Sequence, residues 1–187
     1  MRPLPLIPFA CAAMLAATAC CAEAAPDAQF VPAFQSFLRA SEGQDAALVP
    51  ALAGFEALSR AEPASPVLLA YRGAATAMQA RSTYLPWRKM AYAEDGLALL
   101  DKALAMLQPA HDAPGQQQVP AVLDVKLVAA NTFLALPAMM NRRDRGVKLL
   151  GEVARSPLLP SAPPAFQETV RKALDKARLA PDGRPRT

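Results

Sequence analysis

"FEALSRAEPASPVLLAYRG", residues 55–73, contains two apolar segments separated by a short turn. The turn is "EPASP" at 62–66, where two prolines interrupt the helical pattern. Proline is tolerated between helices and in the first turn of a helix, so both prolines fit this arrangement. The stretch therefore predicts a helical hairpin, and the rest of the chain determines whether that unit recurs.

The same helical periodicity extends over the chain, and no segment alternates convincingly with period two. Alanine and leucine dominate and glycine is scarce, which also favours helix. The length of 187 residues suits one domain. The pattern predicts an all-α domain over 28–179 with helices at about 28–41, 44–61, 65–82, 86–108, 119–136, 141–155 and 163–179.

The hairpin at 55–73 resembles the junction between two tetratricopeptide repeats. Phe55 lies eight positions before Pro63, and Gly73 lies ten positions after it, as in that family. "LLDKALAMLQP" resembles the end of another repeat through Ala103, although its proline comes one position late. "RGVKLLGEV" is a weaker third echo with Gly146.

The resemblance covers about residues 44–155 and implies a fold of about three stacked antiparallel helical hairpins in a right-handed α–α superhelix. Small residues at Gly73, Ala103 and Gly146 would let paired helices approach closely. Phe55, Leu100 and Leu150 would then fill the space beside them.

A closer likeness is to small, exported, tetratricopeptide-like bacterial proteins of unknown function. It rests on "AYRGAA", "PWRKMAYAEDGLALLDKAL" and "AANTFLALPAMMNRR". The shared positions are Tyr71, Gly73, Pro86, Gly96, Asp101, Ala103, Thr132, Pro137, Asn141 and Arg142. This likeness implies the fold and supplies no activity.

Residues 1–24 have the pattern of an export signal, with a basic start, an apolar run and small residues near 22–24. "AATAC" also resembles a lipobox, which makes Cys20 a candidate for lipidation; a cleaved signal and a lipid anchor both remain open. The pattern predicts a periplasmic or exported protein that contacts the membrane only through such an N-terminal lipid anchor, if it has one. Residues 180–187 have the composition of a disordered tail.

The rest of the chain offers little catalytic chemistry. The three cysteines, Cys11, Cys20 and Cys21, all lie in the leader, so the predicted domain has no disulfide, cysteine nucleophile or cysteine zinc ligand. His111 is the one histidine and lies in a polar loop without a nearby partner. The sequence predicts no enzyme, no metal and no cofactor. A net charge of +4 without a long basic block is also weak evidence for nucleic-acid binding.

Two polar clusters remain as candidate partner-binding sites. "RSTYLPWRKMAYAEDG", residues 81–96, begins a helix at Pro86, and its Met90 and Ala93 start an apolar stripe. We expect Trp87 to pack, with Tyr84, Arg88 and Lys89 on the surface. "NRRDR", residues 141–145, begins another helix with Asn141 as its N-cap. The candidate residues are Tyr84, Trp87, Arg88, Lys89, Asn131, Arg142 and Arg143.

The arginines at 142, 143 and 145 carry the wrong charge for a helix start. Either they pair with acidic groups of a neighbouring helix, or they are simply solvated, or they form an anion-binding edge; pairing or solvation is the favoured interpretation. The nearly continuous apolar run at 127–140, "LVAANTFLALPAMM", is too short to span a bilayer and predicts a fully buried central helix.

These features favour a non-catalytic scaffold module of the bacterial envelope that binds another envelope protein in a concave groove. The alternative is a carrier for a small amphipathic ligand held between helices. The scaffold predicts a solid core with an open polar groove, whereas the carrier predicts an apolar cavity. An enzyme would need an inward-facing polar cluster assembled from distant residues.

Overall fold

The computed structural model describes residues 27–178, so the predicted leader with Cys20 and the predicted tail lie outside the described residues. The described chain is all-α, as predicted, and each predicted segment contains one observed helix. The α-helices are α1 (Asp27–Ser41), α2 (Leu48–Ala61), α3 (Pro66–Met78), α4 (Pro86–Ala105), α5 (Ala121–Ala135), α6 (Arg143–Ala154) and α7 (Pro164–Ala177).

Consecutive helices pack against each other, and α3 also packs against α5. In α3 and α4, Gly73 lies against Leu100 while Ala77 lies against Gly96, so the two helices are antiparallel. Helices α5 and α6 are also antiparallel, because Lys126 forms an ion pair of 2.8 Å with Glu152 while Gly146 contacts the opposite end of α5. The right-handed superhelix stays a prediction.

Helices α1 and α3 run in the same direction. The ring centroids of Phe30 and Tyr71 are 5.7 Å apart, and ten residues further along both segments Arg81 donates a 2.7 Å hydrogen bond to the Ala40 carbonyl. Moving ten residues along α1, from Phe30 to Ala40, corresponds to moving ten residues along the other segment, from Tyr71 to Arg81. The two chain directions therefore agree. Two odd-numbered helices therefore lie side by side, with α2 packed against both of them.

Glycines occur where the helices of a pair come closest. A Cβ at Gly96 would lie 2.6 Å from the Gly73 carbonyl oxygen and 2.6 Å from the Ala77 nitrogen. A Cβ at Gly54 would lie 2.7 Å from the Cβ of Ala33, so α1 and α2 also meet at a glycine. The close approach predicted at Gly73 and Gly146 is confirmed.

An aromatic cluster fills the space between α1, α2 and α3. Tyr71 is its centre, because its ring contacts those of Phe30, Phe34, Phe37 and Phe55, stacking on Phe55 at 5.0 Å. Aromatic pairs at such distances stabilise a core beyond their buried area. Further along the chain, Leu100 and Leu150 are fully buried, as predicted.

The start of α6 differs from the prediction. Asn141 has φ of +51° and closes the short turn Ala138–Met140, while Arg142 is the residue that precedes the helix. An asparagine tolerates this left-handed conformation better than most residues do. Asn141 is therefore a turn residue, and the N-cap predicted for it is wrong.

Helix α5 is less buried than expected. Its first half is enclosed, but Asn131 and Ala135 are exposed, as is the segment 137–139 that follows. The prediction of a fully buried helix over 127–140 is therefore wrong, because one face of α5 borders a groove. No helix between residues 27 and 178 combines the length and the apolar character needed to cross a membrane.

Candidate functional site

A groove of about 1050 Å³ runs along the odd-numbered helices. Its walls come from α1, α3, α5 and α7, together with the first turns of α4 and the segment 136–140. Small-molecule sites in proteins typically have volumes of roughly 300–1000 Å³, so this space suits a ligand of substantial size. The helices place their inner faces around one shared cavity.

The groove is lined mainly by apolar side chains. The large ones are Phe34, Phe37, Leu38, Met78, Met90, Val119, Leu127, Val128, Leu136, Met139, Met140 and Phe166. Methionines adapt their shape readily, and four of them line this space. Such a surface binds an apolar molecule by removing it from water.

A buried polar pair interrupts the apolar lining. The Tyr71 hydroxyl donates a 2.8 Å hydrogen bond to Oδ1 of Asp124 and so joins α3 to α5. Burial raises the pKa of the Asp124 carboxyl to about 6, and the hydrogen bond from Tyr71 opposes part of that rise. Burial and the adjacent Asp124 raise the pKa of Tyr71 well above its usual value. The carboxyl therefore gains a proton under mildly acidic conditions.

Three cationic side chains also line the groove, namely Arg81, Lys89 and Lys176. Asp124 is the one carboxyl among the lining residues. The hydrogen bond from Arg81 to the Ala40 carbonyl fixes that guanidinium beside the end of α1. At neutral pH the lining therefore carries a net positive charge. This balance favours a ligand with an anionic group.

The cluster at 81–96 divides into two parts. Ala93 and Gly96 are buried, whereas Trp87 is 67% exposed. The prediction that Trp87 packs is wrong, and Met90, which begins the apolar stripe, is also exposed. The register of α4 against α3 explains the difference, because the first turns of α4 extend past the end of α3.

Tyr84, Arg88 and Lys89 lie on the surface, as predicted. Lys89 lines the groove, whereas Tyr84 and Arg88 lie outside its lining. Asn131 is exposed on α5 and lines the groove as well. The structure thus brings Lys89 and Asn131 to one cavity and leaves Trp87 outside it.

The arginines of the second cluster find a partner on α4. Arg142 lies 3.5 Å from Asp101, and Arg145 forms a closer ion pair with the same carboxylate. Both guanidinium groups also lie over the Phe133 ring, at 5.9 and 5.1 Å from its centroid. Pairing with a neighbouring helix is therefore correct for these two arginines, and Arg143 remains exposed.

The residues that most distinguish the groove were missed from the sequence. Asp124 is the one acidic residue between Pro120 and Asn141, a segment that is otherwise largely apolar. A single carboxyl in such a helix was the available signal, because burial of an ionisable group requires a partner. Tyr71 was noted only for its place in a family likeness.

The described residues offer little support for metal or acid–base chemistry elsewhere. Between residues 27 and 178 no three His, Cys, Asp or Glu side chains lie together in an arrangement that would hold a metal ion. Nδ1 of His111 accepts a 2.8 Å hydrogen bond from the Gln108 backbone. That bond stabilises the turn Pro109–Asp112.

Comparison with known proteins identifies no relative of this chain. The chain has no significant match to a protein-family model, to a curated protein or to a solved structure. The likeness to tetratricopeptide-like exported proteins therefore stays a prediction. The function has to be argued from the groove itself.

Proposed function

We propose that the protein is a non-catalytic carrier that binds a small amphipathic ligand, with an apolar body and an anionic head group, in the groove. The observation that carries this proposal is a cavity of about 1050 Å³ with a mainly apolar lining. The apolar lining favours this carrier over a protein-binding scaffold, for which an open polar groove was expected. Export to the bacterial envelope remains part of the proposal.

The ligand's apolar body lies along the inner faces of α1, α5 and α7, against Phe37, Leu127 and Phe166. Each buried methylene contributes about 0.8 kcal/mol, so a chain of modest length reaches a useful affinity. The head group lies toward Arg81 and Lys89, which come from the segment that precedes and begins α4. These cations give the ligand its orientation.

Blocking the groove should weaken ligand binding. The double variant Asn131→Trp/Ala135→Trp adds two indoles to exposed positions one turn apart on α5, both on the groove wall. We expect at least a tenfold loss of affinity for dansyl-labelled undecanoic acid, since the indoles occupy the space of its apolar chain. Titration followed by dansyl fluorescence measures the change.

Ala98→Trp is the matched control, because Ala98 is an exposed helical alanine outside the groove lining. This variant should bind the probe as the unchanged protein does. The corresponding dansyl-labelled alcohol, which lacks the charge, should bind more weakly than the acid. Saturable binding that survives in the double variant, or no saturable binding at all, contradicts the proposal.

Native mass spectrometry of the full chain supplies a second test, because a carrier retains a stoichiometric small molecule.

A further inference from the structure

Exposed apolar side chains concentrate at the start of α4. Residues 27–178 contain seven large apolar side chains that are exposed, and four of them are Tyr84, Leu85, Trp87 and Met90. Tyr84 is 96% exposed. Exposed apolar residues scattered singly need no explanation, whereas a contiguous group marks an interaction site. We call residues 84–90 the α4 apron.

The apron has a strongly one-sided charge. Between Glu62 and Glu94 the sequence contains four basic residues and no acidic one. Arg72 pairs with Glu56 across 4.0 Å, whereas Arg81, Arg88 and Lys89 have no acidic partner among the described residues. Arg88 and Lys89 lie in the first turn of α4, where the helix dipole adds to their positive potential. An anionic partner would relieve this repulsion.

The packing of α4 leaves the apron uncovered. Gly73 and Ala77 of α3 lie against Gly96, Leu99 and Leu100 of α4, more than one turn beyond the apron. Because the two helices are antiparallel and α3 ends at Met78, the first turns of α4 extend beyond α3, and residues 84–90 are all exposed. The residue that precedes the helix, Leu85, provides no side-chain cap for it. Local packing therefore does not account for Tyr84 and Trp87, which are 96% and 67% exposed.

We propose that the α4 apron docks on an anionic phospholipid membrane. Tryptophan and tyrosine prefer the boundary between water and lipid, where the ring lies among head groups and its polar atom stays hydrated. Arginine and lysine beside them bind the anionic head groups, as in amphipathic segments that lie on a membrane surface. The combination of Trp87, Tyr84 and unpaired cations fits this partner by charge and by chemistry.

Docking through the apron also places the groove at the membrane. Pro86, Lys89 and Met90 belong both to the apron and to the groove lining. A ligand taken from the lipid phase would therefore reach the cavity without crossing open water. The docking rests on exposure and charge alone, so it stands whether or not the groove carries a ligand.

Trp87 reports directly on docking, because it is the only tryptophan of the chain. With the full-length protein, we expect its emission to shift to the blue on addition of vesicles that mix phosphatidylglycerol with phosphatidylcholine. Vesicles of phosphatidylcholine alone should produce little shift. High salt should weaken binding, because it screens the attraction between these cations and the anionic head groups. Each cation near an anionic surface raises the binding constant about fivefold.

The variant Tyr84→Ala/Arg88→Ala removes one ring and one cation, and neither residue lines the groove. We expect it to lower vesicle binding at least tenfold, by co-flotation and by Trp87 emission, while dansyl-acid binding is retained. The matched control is Val49→Ala/Arg143→Ala, which removes an exposed apolar residue and an exposed cation elsewhere and should bind vesicles normally.

Three outcomes overturn the docking proposal. The first is the absence of a blue shift with anionic vesicles, and the second is an equal loss in both double variants. The third is a dimer in sedimentation that dissociates in Tyr84→Ala/Arg88→Ala, since this would assign the apron to a second copy of the chain. Loss of vesicle binding with intact dansyl-acid binding separates docking from the function of the groove.

Discussion

Gly96→Ala should lower the free energy of unfolding by about 3 kcal/mol, at the upper end of the usual effect of overpacking a core. The added Cβ would lie 2.6 Å from the Gly73 carbonyl oxygen and 2.6 Å from the Ala77 nitrogen. Both atoms belong to the backbone, so no side-chain rotation relieves the overlap and α3 and α4 must separate. Urea unfolding followed by far-ultraviolet circular dichroism measures the loss.

Two opposing effects determine the net loss of stability at Gly96, the steric overlap and the helix preference of alanine. Alanine is favoured over glycine inside a helix by about 1 kcal/mol, so the steric cost at Gly96 exceeds the net loss. Glu94→Ala is the matched control, because it places an alanine at an exposed position of the same helix. That variant should unfold within about 0.5 kcal/mol of the unchanged protein. Equal stability of Gly96→Ala and the unchanged protein would mean that α3 and α4 are not in close contact.

The periodicity of apolar residues was enough to predict the seven helices. Alternating three- and four-residue steps and the proline-rich breaks between them are local signals, and local signals set where helices begin and end. The close approach at Gly73 was predicted from the resemblance to tetratricopeptide repeats, whose pattern has a glycine at this distance from Phe55 and Pro63. These features depend on neighbours in sequence.

Pairing across helices was not predictable in detail. Arg142 and Arg145 were expected to pair or to bind an anion, but nothing local indicates that Asp101, more than forty residues away, is the partner. The exposure of Trp87 follows from where α3 ends relative to α4. A helical stripe shows which side chains share a face, but not how far the neighbouring helix extends along it.

The groove itself depends on the way in which helices line up in space. Each odd-numbered helix has an apolar face that borders the groove. From the sequence alone, such a face is predicted to be buried in a core. Because α1 and α3 run in the same direction and α5 packs against α3, those faces border a shared cavity instead. Tyr71 and Asp124 then meet although 53 residues separate them in sequence. A buried ionisable group is the consequence, and it makes stability depend on pH.

Asp124→Asn should abolish a loss of stability that the unchanged protein shows as the pH rises from about 4 to about 6. Burial raises the carboxyl's pKa from its ordinary value of 3.8 to about 6 in the folded protein. Within this window the folded state retains a proton that the unfolded state has released, so stability falls as the pH increases. The full fall corresponds to about 3 kcal/mol, at about 1.4 kcal/mol for each pH unit between the two values.

The asparagine amide still offers an oxygen to the Tyr71 hydroxyl but has no proton to lose, so the variant's stability should stay level through this window. Urea unfolding at a series of pH values gives the free energy of unfolding of both proteins. The stability of the variant relative to the unchanged protein should increase toward neutral pH. Asp95→Asn replaces an exposed carboxyl and serves as the control that keeps the fall. Parallel pH profiles for Asp124→Asn and the unchanged protein would show that Asp124 is not buried against Tyr71.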